Sequence, residues 1–315
     1  MTWSAIEIGV LARAVSHAPS VHNSQPWALE VRGGTADLYE RPGVALPRHD
    51  PTGRDRVLSC GAALTNLELA VRALGRQPAV TLLPDPARPD LVASVVAAGR
   101  AEATAAEVDR YSAMFRRASY RAPFALHRVP RGMLRALTAA TGGPGTEGRL
   151  VEPRTEASEL ADLLSHAGAL LRDDRAYQRE LAAWSSQFRH PLDEDGTLPW
   201  AGIVRADTHL PDRITLAERI TAESLLIVLT ADDTRLDHLC AGAALQQAWL
   251  TAVAAGLAGS VLTQPLHLPE VRAGLIERLA LPGYPQAILR FGYPVTAVGA
   301  LAGLPPAEGA EYRRT

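Results

Sequence analysis

The chain has 315 residues, 47% hydrophobic and 21% charged, with a formal net charge of -2, the balance of a globular protein able to bury a large core. No basic excess exists to displace counterions from nucleic acid, and none of the 32 basic residues is a lysine, which excludes Schiff-base chemistry on a lysine amine. Residues 1–15 lack the basic start of a secretory leader, no run reaches the roughly 18 apolar residues of a membrane span, and the two cysteines form no C-x-x-C pair, so a cytoplasmic protein without membrane contact is expected.

Apolar residues at helical spacing predict a helix over residues 6–15, which Pro19 ends. Ala18-Pro19-Ser20-Val21-His22-Asn23-Ser24-Gln25-Pro26-Trp27 follows as a turn. Ser20, Asn23 and Ser24 are residues whose side chains satisfy free backbone groups, His22 is read first as a local hydrogen-bonding group, and Trp27 is assigned to the core. Strands at 27–31 and 36–39 join at Gly33-Gly34. The turn Asp50-Pro51-Thr52-Gly53-Arg54 leads to a helix over 57–74, closed by Gly75. Strands are expected at 79–83 and 91–97 and a helix at 101–115, followed by Arg116-Arg117-Ala118-Ser119-Tyr120-Arg121, where positive charge gathers without a carboxylate.

A helix over 131–140 precedes the flexible run Thr141-Gly142-Gly143-Pro144-Gly145. Leu150 belongs to a strand, 156–172 and 175–188 to helices, and 189–213 dissolves into Pro, Asp, Gly and Trp, the signature of a lid. Residues 223–230 form the clearest strand, and Asp232 or Asp233 is expected to cap the helix that runs on to about residue 256. Residues 260–265 read as a connection, 269–279 as a helix and 285–293 as a strand, before a tail ending Tyr312-Arg313-Arg314.

Gly61-Ala62-Ala63-Leu64 recurs as Gly242-Ala243-Ala244-Leu245, and at the same offset Leu69 falls on Leu250, Ala73 on Ala254 and Gly75 on Gly256. Each helix is followed by an apolar strand, taken as 79–83 in one half and 287–291 in the other. The pattern predicts two copies of one α+β unit, residues 1–100 and an enlarged 101–315 that carries the lid. The first copy holds the Pro-Ser-x-x-Asn-x-Gln-Pro-Trp turn and the second the Arg117-x-Ser119-x-Arg121 cluster. Two half-sites that complement each other give one site per chain.

The segment Arg117-Ala118-Ser119-Tyr120-Arg121-Ala122-Pro123-Phe124, with Val129-Pro130 and a helix after it, resembles the opening of the nitroreductase superfamily. Residues 18–27 resemble that family's Pro-Ser-x-x-Asn-x-Gln-Pro-Trp segment, which the opposite subunit of a homodimer contributes. Both in one chain, with Asp50-Pro51-x-Gly53-Arg54 and Ser59-Cys60-Gly61-Ala62-Ala63-Leu64 between them, are similar to the Acg branch. That resemblance implies a nitroreductase-like α+β fold, a single-chain fused pseudo-dimer, one FMN and a lid. It implies that Arg117, Ser119 and Arg121 hold the phosphate, ribityl chain and pyrimidine edge. Pro19, Ser20, Val21 and Asn23 would face the flavin from the other half, Leu262, Thr263 and Gln264 would lie along its N5 edge, and Arg313 would match a late basic residue.

A phosphate dianion removed from water calls for charge-assisted donors, and guanidinium forks supply two parallel bonds each; the plainer reading of the cluster is a solvated helix end. Hydride transfer at flavin N5 asks for no protein nucleophile and no metal, and no G-x-S-x-G, H-E-x-x-H or Walker loop occurs. The expected function is an FMN-dependent oxidoreductase that moves two electrons from NAD(P)H or another donor to an electron-poor small molecule. The alternative is an FMN-storage protein whose lid bars turnover. Trp200, in the lid, is a candidate to lie over flavin or substrate. Internal fusion leaves monomer and homodimer both open.

Overall fold

The computed structural model describes residues 2–185 and 204–295. In the first half, helix α1 (Ala5–Ser16) begins on a capping box between Ser4 and Glu7. Strands β1 (Trp27–Arg32) and β2 (Thr35–Glu40) form a hairpin, helix α2 (Arg54–Ala73) follows, and strands β3 (Arg76–Leu82) and β4 (Leu91–Arg100) complete a sheet of order β1-β2-β4-β3. Helices α3 (Ala105–Met114) and α4 (Arg131–Ala140) lead to strand β5 (Thr146–Leu150), helices α5 (Pro153–Asp173), α6 (Arg175–Ser185) and α7 (Arg213–Ala222), and strand β6 (Ser224–Thr230). Helix α8 (Arg235–Ala254), strand β7 (Ala258–Leu262), helix α9 (Pro269–Arg278) and strand β8 (Tyr284–Gly292) close a second sheet of order β5-β6-β8-β7. All strand pairs in both sheets are antiparallel.

The two sheets therefore share one topology, and the helices α2 and α8 occupy the same place in each, between the second and third strands. They pack on one another. A Cβ built on Gly61 would stand 2.0 Å from the Leu239 carbonyl oxygen, and one built on Gly242 would stand 1.9 Å from the Leu58 carbonyl oxygen. Leu58 and Leu239 keep the 181-residue offset of the two glycines, so the contact is reciprocal, as across a two-fold axis. Only glycine permits backbones this close. Both helices are buried on nearly every side.

The halves differ in how many faces of the sheet are covered. On β6, Leu225, Ile227 and Leu229 join a core with Leu160, Leu164, Leu216, Val271 and Leu275 of α5, α7 and α9, while Leu226 and Val228 join Leu137, Ala241 and Trp249 of α4 and α8. A strand covered on both faces needs apolar residues throughout, which explains its unbroken run. In the first sheet Leu29, Leu38, Val92 and Val95 pack on α1 and α2, whereas Val96 is exposed. The enlargement of the second half is this extra helical layer.

Several boundaries differ from expectation for reasons local to each end. Helix α2 starts at Arg54 because Gly53 turns the chain at φ 74° and the Asp50 carboxylate accepts the N–H groups of Asp55 and Arg56 at 3.0 and 2.8 Å. Helix α3 starts at Ala105, where Thr104 and Glu107 form a capping box. Neither Asp232 nor Asp233 caps α8; Thr234 does, paired with Asp237, and Asp233 instead binds Arg272 and His238. The expected connection at 260–265 begins as strand β7, which hydrogen-bonds to β8. The counterpart of β3 is accordingly β7, and that of β4 is β8. Residues 189–203 of the expected lid, with Trp200, and the tail with Arg313 lie outside the described residues, and 213–222 is helical. Among the described residues no helix is long and apolar enough to cross a membrane.

Replacing Gly242 by Ala is expected to cost about 3 kcal/mol or more, because the clash is with backbone rather than a movable side chain. Gly9→Ala, on an exposed face of α1 with nothing within 4 Å, is expected to stabilise by about 0.5–1 kcal/mol. Denaturant midpoints of the two variants against the parent check both signs.

Candidate flavin site

Three segments converge. The first is the opening turn, where Val21–Asn23 form a single 3₁₀ turn after Ser20. His22, Asn23 and Gln25 have φ of 50°, 53° and 46°, a left-handed conformation that asparagine tolerates and that costs other side chains on the order of 1 kcal/mol each. Ser20 Oγ accepts the Gln25 N–H at 3.0 Å, and buried Trp27 anchors the end of the turn in the core. Pro19, Ser20, Val21 and Asn23 remain partly exposed, while Gln25 is buried with neither its amide oxygen nor its nitrogen hydrogen-bonded.

The second segment carries Arg117, Ser119 and Arg121. It begins at the end of α3, where the Arg117 N–H still donates to Ala113 O at 2.9 Å, and then leaves the helix. The chain is extended here: Ser119 pairs with Gly259 of β7, and the Tyr120 N–H donates to the Gly259 carbonyl at 2.8 Å. Tyr120 is buried, its hydroxyl donating to Pro123 O at 3.0 Å and accepting from Val295 N–H at 3.0 Å. With Tyr120 turned into the core, alternation puts its neighbours Ser119 and Arg121 on the opposite side. The Arg117 guanidinium lies 4.6 Å from the Trp249 ring centre, a cation–π contact.

No described carboxylate pairs with Arg117 or Arg121, and the Nε of each is buried without a partner. Burial, aided by Arg121, pushes Arg117 down to about 10; burial, aided by Arg290, does the same to Arg121. Both side chains are half-buried with their Nε atoms fully enclosed, an arrangement in which an anion from outside the chain could satisfy them.

The third segment is the end of β7 and the 3₁₀ turn Gln264–His267. Leu262, Thr263 and Gln264 are buried; Leu262 ends β7 three residues, about 10 Å, beyond Gly259, and Thr263 and Gln264 open the turn that follows. Arg54 fixes this turn from α2, donating to Thr263 O at 3.2 Å and Leu266 O at 3.3 Å. Asp55 holds Arg54 at 2.9 Å and His267 at 3.0 Å. Burial alone would raise the Asp55 carboxyl, but His267 and Arg54 together hold it well below the usual carboxylate range.

His22 of the opening turn feels the charge of Arg121 in the second segment and that of Asp55 on α2, the carboxylate that lies 3.0 Å from His267 of the third. His22 Nε2 lies 2.6 Å from His49 Nδ1. The roles of His49, Asp55 and His267 escape a reading of the sequence, because they meet partners far away in the chain; Arg54 and Gln25 stand in the quoted Asp50-Pro51-x-Gly53-Arg54 and Pro-Ser-x-x-Asn-x-Gln-Pro-Trp segments, which gave neither a role.

No family model matches the chain. Over 300 residues it is 33% identical to a Mycobacterium tuberculosis (strain ATCC 25618 / H37Rv) protein named "Putative NAD(P)H nitroreductase Rv3131", covering 91% of this chain and 85% of the relative. The chain belongs to the nitroreductase family. A second M. tuberculosis nitroreductase relative, acg, is 28% identical over 293 residues, covering 87% of this chain and 85% of its own. Among solved structures, this nitroreductase chain is similar to the FMN-dependent nitroreductase NfnB from Mycobacterium smegmatis in complex with NADPH, at 17% identity and a TM-score of 0.43, over 66% of this chain and 98% of that one. It is also similar to a nitroreductase with bound FMN from Bacteroides fragilis NCTC 9343, at 16% identity and a TM-score of 0.39, over 65% and 92% of the two chains.

Because no described carboxylate pairs with Arg117 or Arg121, Arg117→Ala with Arg121→Ala is expected to leave the fold intact and its thermal midpoint equal or higher in low-salt, anion-poor buffer. Added inorganic phosphate should raise the midpoint of the parent and not of the double variant. A large loss of stability in the variant without phosphate would show that the arginines are structural.

Proposed function

We propose that this chain is an FMN-dependent oxidoreductase of the nitroreductase type, in which two electrons pass from a nicotinamide or another donor to an electron-poor small molecule. The observation that carries this reading is the pair of half-buried guanidiniums of Arg117 and Arg121, whose Nε atoms are buried without a partner and which no described carboxylate neutralises, with Ser119 between them in the chain, a donor set of the kind an anionic flavin mononucleotide calls for. The unsatisfied Gln25 amide in the facing turn adds donors and acceptors suited to a heteroaromatic ring. Family membership and the names of its relatives agree with it.

In this reading residues 1–100 and 101–315 are two units that each supply half of one site. Arg117, Ser119 and Arg121 bind the phosphate, ribityl chain and pyrimidine edge; Pro19, Ser20, Val21 and Asn23 face the flavin from the other unit; Leu262, Thr263 and Gln264 line the N5 edge, and Arg313 adds a late basic group. FMN, when bound, supplies hydride transfer at N5. The chain's own groups then bind and orient. Arg121 holds a fixed positive charge that favours an anionic reduced ring, and the Arg54–Asp55–His267 network keeps the Thr263–Gln264 backbone in place.

Purified protein reconstituted with FMN and mixed anaerobically with NADPH is expected to lose its flavin absorbance. Retention of colour with NADPH but bleaching by dithionite would identify a flavin-holding protein, and failure to take up FMN would defeat both. Arg117→Ala with Arg121→Ala is expected to strip the flavin.

A further inference from the structure

His22 occupies the middle of the opening turn in a left-handed conformation, and its ring is tethered. His22 Nε2 lies 2.6 Å from His49 Nδ1, and His49 Nε2 lies 3.3 Å from the Tyr177 carbonyl oxygen. The His49 ring, 1% exposed, lies flat on the Tyr177 ring with centres 3.9 Å apart and planes within 5°. These contacts locate the ring hydrogens. A carbonyl only accepts, so His49 Nε2 carries its hydrogen; a neutral imidazole has one, so His49 Nδ1 accepts and His22 Nε2 donates. Neutral His22 is left with a lone pair at Nδ1.

Neutrality follows from the surroundings. Burial pushes His22 down to about 3, with His49 and Arg121 acting in the same direction against Asp55. Burial also lowers His49, reinforced by His267 and opposed by the Tyr177 carbonyl, Glu180 and Asp55. No described residue hydrogen-bonds to His22 Nδ1, and the guanidiniums of Arg117 and Arg121 can only donate.

We propose that His22 Nδ1 is a fixed hydrogen-bond acceptor that reads the N3–H of the flavin, with His49 as the positioning residue that sets its tautomer. This rests on the flavin reading above. The flavin's pyrimidine ring presents an N–H between two carbonyl oxygens, an imide edge. The Arg121 guanidinium answers an oxygen, and an acceptor that cannot become a donor near neutral pH answers the N–H. The site then admits flavins with a free imide and rejects those blocked at N3. An acceptor left buried and unpaired weakens binding.

The test compares FMN with N3-methyl-FMN by quenching of flavin fluorescence on the full chain. The parent is expected to bind the methylated flavin about tenfold to a hundredfold more weakly. The ratio should fall towards one in His22→Phe, and part-way in His49→Phe, which frees the His22 tautomer. Equal affinity of the parent for both flavins overturns the proposal and leaves the flavin reading standing; no binding of FMN at all overturns both. Long-range ¹⁵N NMR of the unliganded parent between pH 6 and 9 needs no variant. It should show both histidines with hydrogen on Nε2 and none on Nδ1, and a hydrogen on His22 Nδ1 would overturn the assignment.

Discussion

Everything in the molecule hangs on the crossing of α2 and α8 at Gly61 and Gly242. Each glycine admits the other helix's backbone, Leu239 O on one side and Leu58 O on the other, and the contact is its own counterpart under the 181-residue offset. An interface of that kind is ordinarily made by two copies of a chain. Here both helices belong to one, so the sheets on either side are held in a fixed relation by covalent connection as well as packing. The polar seam continues the crossing: Thr65 donates to Ala243 O at 3.1 Å and Gln246 to Asn66 Oδ1 at 2.8 Å.

Fusion frees the two copies to diverge. Among the described residues the first sheet is packed in one core with α1 and α2, and the second acquires α5, α7 and α9 on its other face. The N-terminal end of α2 became the support of the candidate site: Asp50 caps it, Arg54 and Asp55 emerge from its first turn, and they grip a turn more than two hundred residues away. Strand β7 does the rest, pairing at Gly259 with the arginine segment and ending at Leu262 beside the turn that Arg54 holds. The cations that cannot be neutralised by the described protein groups are thus fixed by backbone and by a buried tyrosine, not by their own ion pairs. A site organised this way is formed before its ligand arrives, which lowers the ordering cost of binding.

Much of this was legible in the residues. The repeat announced the pseudo-dimer, and the two motifs marked the turn and the arginine cluster. The strand that connects them was not, because Ala258-Gly259-Ser260-Val261-Leu262 has little of the β-branched, aromatic character that marks a strand; it is a strand because β8 and Tyr120 pair with it. That omission also misaligned the repeat, matching 79–83 to the wrong partner. The α8 cap was readable, since Thr234-x-x-Asp237 is a capping-box pattern, but two adjacent aspartates drew attention from it. Arg54, Asp55 and His267, and the His22–His49 pair, could not be read: short polar contacts between distant residues leave no period and no composition signal.

The central claim is that one anionic cofactor bridges the two halves, its phosphate on the second and its ring against the turn of the first. The most direct measurement is a crystal structure of the FMN-loaded chain. The account predicts the phosphate bonded to Arg117 and the pyrimidine edge facing Arg121, with the ring between residues 20–25 and 262–264; a flavin held by residues of one half alone, away from both arginines, would contradict it.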